Sequence, residues 1–475
     1  MRHYFRRTTV IQIGLIGLLV GLWLAKTGYS TSHSLLLCSF IALPLLLRLK
    51  LLAIIAALFL GLNLGLWRGQ AIYARLIQYE RFRDQRVTLL ARVDNDSVYS
   101  DRGQLEFQIS RITELKSRTK LPGTIRVRGY QAPSVQRNDI VEISGKLREG
   151  FGSRQGFISF AQIKVVARNY SVLESIRARF LAGVFSTLPE PHASLGLGFL
   201  VGTRTLLPET LLVALSATGL THIVAVSGYN LTILVRLTRR LFAKKSIYLS
   251  TMSSFMLIMG FVLVTGLSPS IARATVVSGL ALIGWYYGRN IQPTILLLSA
   301  AAITGMLNPL YIWFDLGWYL SFAAFVGVLI LGPLITKRWF KKRPKLLTQI
   351  LIETTSAQLL TLPIIAVIFG EFSLISLLAN LIILPLIPLA MITTFIAGVA
   401  GMVLPTLAGW VAWPATVLLT FIVDVVRLLA GVPWALRQVK LSWFSLWLIY
   451  SAIIVVIIGL RRNLKRPLDA TQVIE

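Results

Sequence analysis

Polar side chains set within long apolar stretches are the ones in this sequence that could do chemistry. LTHIVAVSGYNLTIL (residues 220–234) holds Thr221, His222, Ser227 and Asn230. On a continuous helix turning about 100° per residue, His222, Ser227 and Asn230 would share one sector facing protein or water. Two uses are open: interhelical hydrogen bonds, worth about 1 kcal/mol each, or the lining of a hydrated pathway. Hydrolysis by Ser227 with His222 as base is a minor alternative, because five helical residues separate them by about 140° and no third orienting group is evident.

Asp315, in NPLYIWFDLGWYLSF, is the only acidic residue between Thr210 and Ile350, inside a predicted span that Asn308 and Pro309 open as N-cap and first helical residue. Arg273, in LSPSIARATVV, falls about one turn after Ser268 and Pro269, where the positive end of a helix dipole disfavours a cation. Both charges need compensation at membrane depth. Either they form an ion pair linking two helices, or Arg273 snorkels toward the interface. Glu353 and Gln358 lie among Thr354, Thr355, Ser356 and Thr361 in a span too polar to meet hydrocarbon on every side. Pro363, Pro385 and Pro388 remove backbone donors and predict broken helices, with Asn380 about one turn before Pro385.

A second group lies in a polar interval, residues 68–170, where nineteen Lys and Arg outnumber ten Asp and Glu. Tyr99, Tyr130, Phe151, Phe157 and Phe160 are interspersed, and a basic sheet with stacking rings suits a single-stranded nucleic acid. The candidate contacts are Arg126, Arg128, Lys146, Arg148, Phe151, Arg154, Phe157 and Lys164. Several of these belong to the Gly-rich connection REGFGSRQGF (148–157), placed where an OB barrel has the loop before its last strand. A structural plug or docking surface would suit the same composition.

The elements that must position these residues follow from periodicity. RVTLLARV (86–93), LEFQISRI (105–112), GTIRVRGY (123–130), DIVEISGKL (139–147) and AQIKVVA (161–167) alternate apolar with polar residues and predict five strands, enough for a small OB-type barrel. Hydrophobic segments at 10–25, 34–47 and 51–67 precede it, and an amphipathic helix over 171–188 follows, suited to lie along the membrane interface. Short apolar pieces at 193–201 and 208–218 come next. Spans are predicted near 221–238, 246–266, 270–288, 292–307, 310–332, 347–368, 373–395, 405–430 and 441–460.

With 55% hydrophobic and 14% charged residues, the chain has the composition of a polytopic α-helical membrane protein with an extracytoplasmic all-β OB-like domain after three N-terminal hydrophobic segments. The expected divisions are 1–67, 68–170, 171–192, 193–465 and a tail at 466–475. The first segment reads as a retained helix, lacking a small-x-small cleavage site before Lys26. Basic clusters at both ends and at 236–245 and 337–345 predict cytoplasmic termini and an outer barrel. The net charge of +29 suggests a polyanionic partner or anionic lipid as well. One cysteine, Cys38, excludes an intrachain disulfide. Four scattered histidines offer no metal cluster, and no Walker A motif occurs, so no cofactor is expected.

GFLVGTRTLLPETLLVALSATGLTHIVAVSGYNLTIL (198–234), TGLSPSIARATVVSGLALIGWYYGR (265–289), NPLYIWFDLGWYLSFAA (308–324) and SAQLLTLPIIAVIFGEFSLISLLANLIILPL (356–386) resemble, in order, blocks of the ComEC competence family of DNA-internalisation channels. The resemblance implies an inner-membrane channel passing single-stranded DNA to the cytoplasm, and it adds Trp318 and Ser321 to the candidate pathway of His222, Ser227, Asn230, Arg273, Asp315, Glu353, Gln358 and Asn380. It also implies partners: an extracytoplasmic DNA receptor, a cytoplasmic DNA translocase or single-stranded-DNA-binding proteins, and the lipid bilayer. Where the family has Ser-Gly-x-His, this chain has Ser227-Gly228-Tyr229-Asn230, so a role needing an imidazole there does not carry over. The metallo-β-lactamase-like domain of many members has no His-x-His-x-Asp-His here. The expectation is a non-enzymatic chain with a separate nuclease for the second strand. A membrane scaffold docking envelope proteins is the alternative.

Overall fold

The computed structural model describes residues 7–46, 50–95, 97–99, 104–129, 135–150, 154–168, 172–202, 206–224, 228–265, 269–289, 291–340, 344–439 and 441–462. The chain divides into two compact units, Met1–Glu174 with Leu298–Tyr319, and Ser175–Leu297 with Leu320–Glu475.

In the first unit, the three N-terminal apolar segments form α1 (Arg7–Ala25), α2 (His33–Leu46) and α3 (Lys50–Leu76), with a short α4 (Gln78–Phe82) after them. Helix α3 continues past Trp67 into the polar interval. Helices α1 and α3 meet backbone to backbone: a Cβ built on Gly65 would lie 2.3 Å from the Leu18 carbonyl oxygen, and one on Gly21 2.2 Å from that of Leu62. Gly61 lies against Gly14 and Gly65 against Gly21, while Gly17 meets the Leu58 backbone and Gly69 meets Ala25, a small-residue seam of the kind that packs helices in bilayers.

The polar interval folds into β1 (Arg86–Val93), β2 (Val98–Tyr99), β3 (Leu105–Glu114), β4 (Lys120–Leu121), β5 (Ile125–Gly129), β6 (Ile140–Glu149) and β7 (Gly156–Ala167). The five long strands are those the alternation predicts; two-residue β2 and β4 pair with β3 in addition. Strand β1 pairs with β6, β6 with β7, β7 in parallel with β5, β5 with β3, and β3 with β1. The ring therefore closes and leaves no open edge among the five long strands. Leu89, Phe107, Ile109, Ile125, Ile143 and Ile158 fill its interior, and the alternate residues point outward.

The chain continues with α5 (Val172–Thr187), α6 (His192–Val201), α7 (Glu209–Ala217), α8 (Thr221–Val224), α9 (Gly228–Phe242), α10 (Ile247–Thr265), α11 (Pro269–Tyr286), α12 (Pro293–Leu307), α13 (Leu310–Phe314), α14 (Leu316–Val326) and, after a π-helical turn at Gly327–Leu331, α15 (Gly332–Trp339). Then come α16 (Leu346–Phe369), β8 (Glu371–Ser373), α17 (Ser376–Ile383), a 3₁₀ turn at Leu384–Leu386, α18 (Ile387–Val403), α19 (Ala408–Ala430), β9 (Leu436–Gln438) paired with β8, and α20 (Trp443–Arg462). The chain crosses to the first unit within α12 and returns within α14. The core of the second unit gathers Leu195, Phe199, Ala379, Ile387, Leu419 and Ile422 from α6 and α17–α19. Helix α5 packs on α18, where a Cβ on Gly183 would lie 2.5 Å from the Gly398 carbonyl oxygen.

Among the described residues, seven helices are long and apolar enough to cross a membrane: Thr8–Ala25, Leu51–Phe82, Leu316–Trp339, Leu347–Phe369, Ser376–Val403, Ala408–Ala430 and Trp443–Arg462. Shorter apolar helices cover Ile247–Leu263, Ser270–Tyr286 and Pro293–Leu307. Of the predicted span at 221–238, the described residues form α8 and α9, with 225–227 outside them. Two expectations need correction. The span at 310–332 breaks at Asp315, whose backbone is extended (φ −97°, ψ 103°). Pro363 breaks nothing: α16 runs through it, and near the lost donor the Leu360 carbonyl accepts from the Tyr450 hydroxyl at 2.6 Å. The break expected at Pro385 is present as the 3₁₀ turn.

Candidate nucleic-acid interface and buried polar groups

Antiparallel pairing places Glu106 opposite Arg128 and Gln108 opposite Arg126 on β3 and β5, while the parallel β5–β7 pair puts Phe157 beside Arg126. On the other side of β7, Arg148 of β6 is in register with Phe157. The result is one outward row across four strands: Arg148, Phe157, Arg126, Gln108. Arg128 stands over the Phe157 ring at 5.4 Å from its centre. Arg154, from the end of the connection before β7, faces the Gln108 side-chain amide; with that amide turned so that its oxygen accepts, Arg154 donates to it at 2.9 Å through Nη2 and at 3.2 Å through Nε.

Two guanidinium groups thus share one carboxylate, with that of Arg154 close enough to repel them. Glu106 pairs with Arg126, and its Oε2 accepts from Arg128 Nε at 2.8 Å. Burial pushes the Arg126 pKa down to about 10, and Arg154 and Arg128 add to the shift. Burial, then Arg128, lowers Arg154 as well. Arg126 stays charged at neutral pH, but with uncompensated like charge beside it, and an added anion would relieve that repulsion. Arg126 Nε is buried with no hydrogen-bond partner among the described residues.

Other predicted contacts lie apart. Lys146 pairs with Asp84 at 3.2 Å, and Lys164 stands opposite Glu142 on β6. Phe151 falls outside the described residues. Phe160, 73% exposed at φ +55°, sits where the β6–β7 register shifts, so the irregularity turns its ring outward.

The candidate pathway residues separate by unit. In the first, Asp315 Oδ1 accepts from the Trp318 backbone N–H at 2.7 Å, the geometry of an N-cap on α14, and Trp318 Nε1 donates to Thr304 Oγ1 at 3.1 Å. The carboxylate the sequence left uncompensated therefore has a helix N-terminus to complement it. In the second unit, Arg273 Nε donates to Ser321 Oγ at 2.7 Å, and the guanidinium lies 5.0 Å from the Phe325 ring centre, joining α11 to α14. Gln358 Nε2 donates to Ser376 Oγ at 3.0 Å, joining α16 to α17. Glu353 accepts from Gln349 at 2.8 Å one turn away on α16. His222 Nδ1 lies 2.9 Å from the Gly219 carbonyl oxygen. Asn380 is 1% exposed with its Oδ1 unpartnered among the described residues, as are the buried hydroxyls of Ser356 and Thr394. Ser227 and the Asn230 side chain lie outside the described residues.

Sequence reasoning missed Thr304 and Thr394, whose hydroxyls look like ordinary helix polarity until a neighbouring helix is placed. It also missed the role of Glu106, which alternation puts outward but cannot assign to a neighbour.

No solved structure matches the chain. ComE operon protein 3 of Bacillus subtilis (strain 168) is 27% identical over 208 residues, which cover 43% of this chain and 26% of that protein. The profile described as Competence protein matches residues 199–466, more than half of the chain and most of the second unit. The chain belongs to the Competence protein family.

Proposed function

We propose that the protein is a multi-pass channel of the inner membrane that admits single-stranded DNA to the cytoplasm during natural transformation, receiving the strand on its barrel. Family membership supports a role in DNA uptake and partners in the competence machinery, and seven apolar helices suit a multi-pass membrane protein. The barrel is of the OB type in this account: its long strands run β1-β3-β5-β7-β6 around the ring, with β5 and β7, the third and fifth long strands in chain order, parallel. Its second and third long strands carry Glu106, Gln108, Arg126 and Arg128, the face on which OB barrels bind oligonucleotides. The row Arg148–Phe157–Arg126 carries the proposal, because cations beside a ring bind a sugar-phosphate chain and stack its bases without reading sequence.

With the barrel extracytoplasmic and both termini cytoplasmic, the helices would conduct and perform no bond chemistry. The Arg273–Ser321 and Gln358–Ser376 contacts hold helices together in this conformation. Conduction exchanges such bonds for water, and the unpartnered Asn380, Ser356 and Thr394 atoms favour hydration along that route. The test is oligonucleotide binding by the full chain in phosphatidylcholine nanodiscs, with neutral dextran as control. Affinity should fall steeply with salt and vary little with sequence. Equal retention of dextran and oligonucleotide, or binding indifferent to salt, overturns the proposal.

A further inference from the structure

At the foot of the barrel, wholly within the first unit, lies an open cavity of about 440 Å³. That volume is within the range of roughly 300–1,000 Å³ typical of small-ligand sites. Its walls come from the ends of α1, α3 and α13, from α4, from the end of β6, and from Arg154 and Gln155 just before β7. Apolar surface is supplied by Leu76 and Ile77, and rings by Tyr73 and Phe314. Four cations, Lys26, Arg83, Arg148 and Arg154, line it against Glu80 and Glu149. Arg83 is spent on Glu149, with which it forms an ion pair. Lys26 is positioned by the Trp313 carbonyl, to which its Nζ donates at 3.3 Å, and by the Phe314 ring 4.7 Å away.

Two of these cations belong to the outer face as well. Arg148 ends the row that runs through Phe157 and Arg126, and Arg154 reaches Gln108 on that same row. The basic surface of the barrel is therefore continuous with the cavity, and the cavity ends at Lys26, one residue beyond α1. Resting on the function proposed above, we infer that this cavity is a second strand-binding subsite, which takes one unstacked nucleotide of single-stranded DNA as it leaves the barrel toward the helices. Lys26 and Arg148 hold the flanking phosphates, and Tyr73 offers the base a ring. Continuity with the row favours a nucleic acid over a phospholipid headgroup, which would need no link to the outer face.

The test uses the full chain in phosphatidylcholine nanodiscs with fluorescent oligonucleotides of about 4 and about 16 nucleotides, the ends of the range an OB barrel holds. Lys26→Gln removes one phosphate contact. The slope of log affinity against log salt should then fall by about 0.7 for the long oligonucleotide, which is about fivefold in affinity at 0.1 M salt. The short one, seated on the barrel face, should be unaffected. Ile77→Trp, which fills the cavity without changing charge, should weaken only the long oligonucleotide too. If both variants bind both lengths as the wild type does, the subsite is refuted while the barrel proposal stands. If the wild type binds neither length, the barrel proposal itself has failed. If Lys26→Gln instead loses phosphatidylglycerol that co-purifies with the wild type, with long-oligonucleotide binding intact, the cavity belongs to lipid and the inference is overturned.

Discussion

Glu106→Gln should make the protein a better DNA binder. Its carboxylate engages both Arg126 and Arg128, so it competes with phosphate for two of the three clustered guanidinium groups. Removing the charge frees up to two further phosphate contacts, which on a single strand steepen the salt slope by up to about 1.4. At 0.1 M salt that corresponds to as much as about 25-fold in affinity. The stability cost is small. Side-chain exposures of 31%, 40% and 22% for Arg126, Arg128 and Glu106 leave the pairs screened by solvent, so the loss should stay below about 2 kcal/mol. Fluorescence anisotropy with a labelled oligonucleotide, at several salt concentrations and on the full chain in nanodiscs, reads both quantities. An unchanged slope, or a fall in affinity with the protein still folded, would show that these arginines do not meet phosphate and would refute the account of this face.

Gly65→Leu forces a side chain into the α1–α3 seam, where even a Cβ would sit 2.3 Å from the Leu18 carbonyl oxygen. It should lower stability by about 1–3 kcal/mol, read as Tm in detergent, whereas Gly260→Leu, where a Cβ would meet nothing, should not. Asp315→Ala should cost about 1 kcal/mol through loss of the α14 N-cap. Asp315→Asn, which keeps an acceptor, should be nearly neutral in Tm; equal losses would assign Asp315 a role as a charge. Burial holds the Asp94 carboxyl above the usual carboxylate range, against the pull of its Ser110 hydrogen bond and of Arg92, Arg137 and Arg111. A raised carboxyl pKa makes the fold most stable while Asp94 is protonated, and that stability is lost as pH rises from about 4 through the folded value. Asp94→Asn should flatten this decline in Tm, and an unaltered pH profile would count against it.

Much of this architecture is legible in residue order, and the misses have physical causes. Alternation marks residues 86–93 as a strand because one barrel face is buried and the other is not, and β1 has those bounds. Two-residue β2 and β4 are too short to show a period. Strand β7 begins at Gly156, five residues before the alternating stretch, because Gly-rich sequence masks its start. Hydropathy runs unbroken through 310–332, so the break at Asp315 rests on a single side chain capping α14. The α1–α3 seam is visible as glycines three to four apart, yet only placing the two helices together shows that they touch. Outward charges on a strand are likewise readable, whereas the pairing of Arg126 and Arg128 with Glu106, and the approach of Arg154 to them, depends on which strands become neighbours.

The most direct measurement is passage itself. With the full chain reconstituted in liposomes, a fluorescent single-stranded oligonucleotide supplied outside should reach the lumen and become resistant to added nuclease. An Arg126→Glu, Arg148→Glu double variant should abolish the protected fraction at equal reconstitution. Protected oligonucleotide no greater than in protein-free liposomes, or undiminished in that variant, would contradict the account.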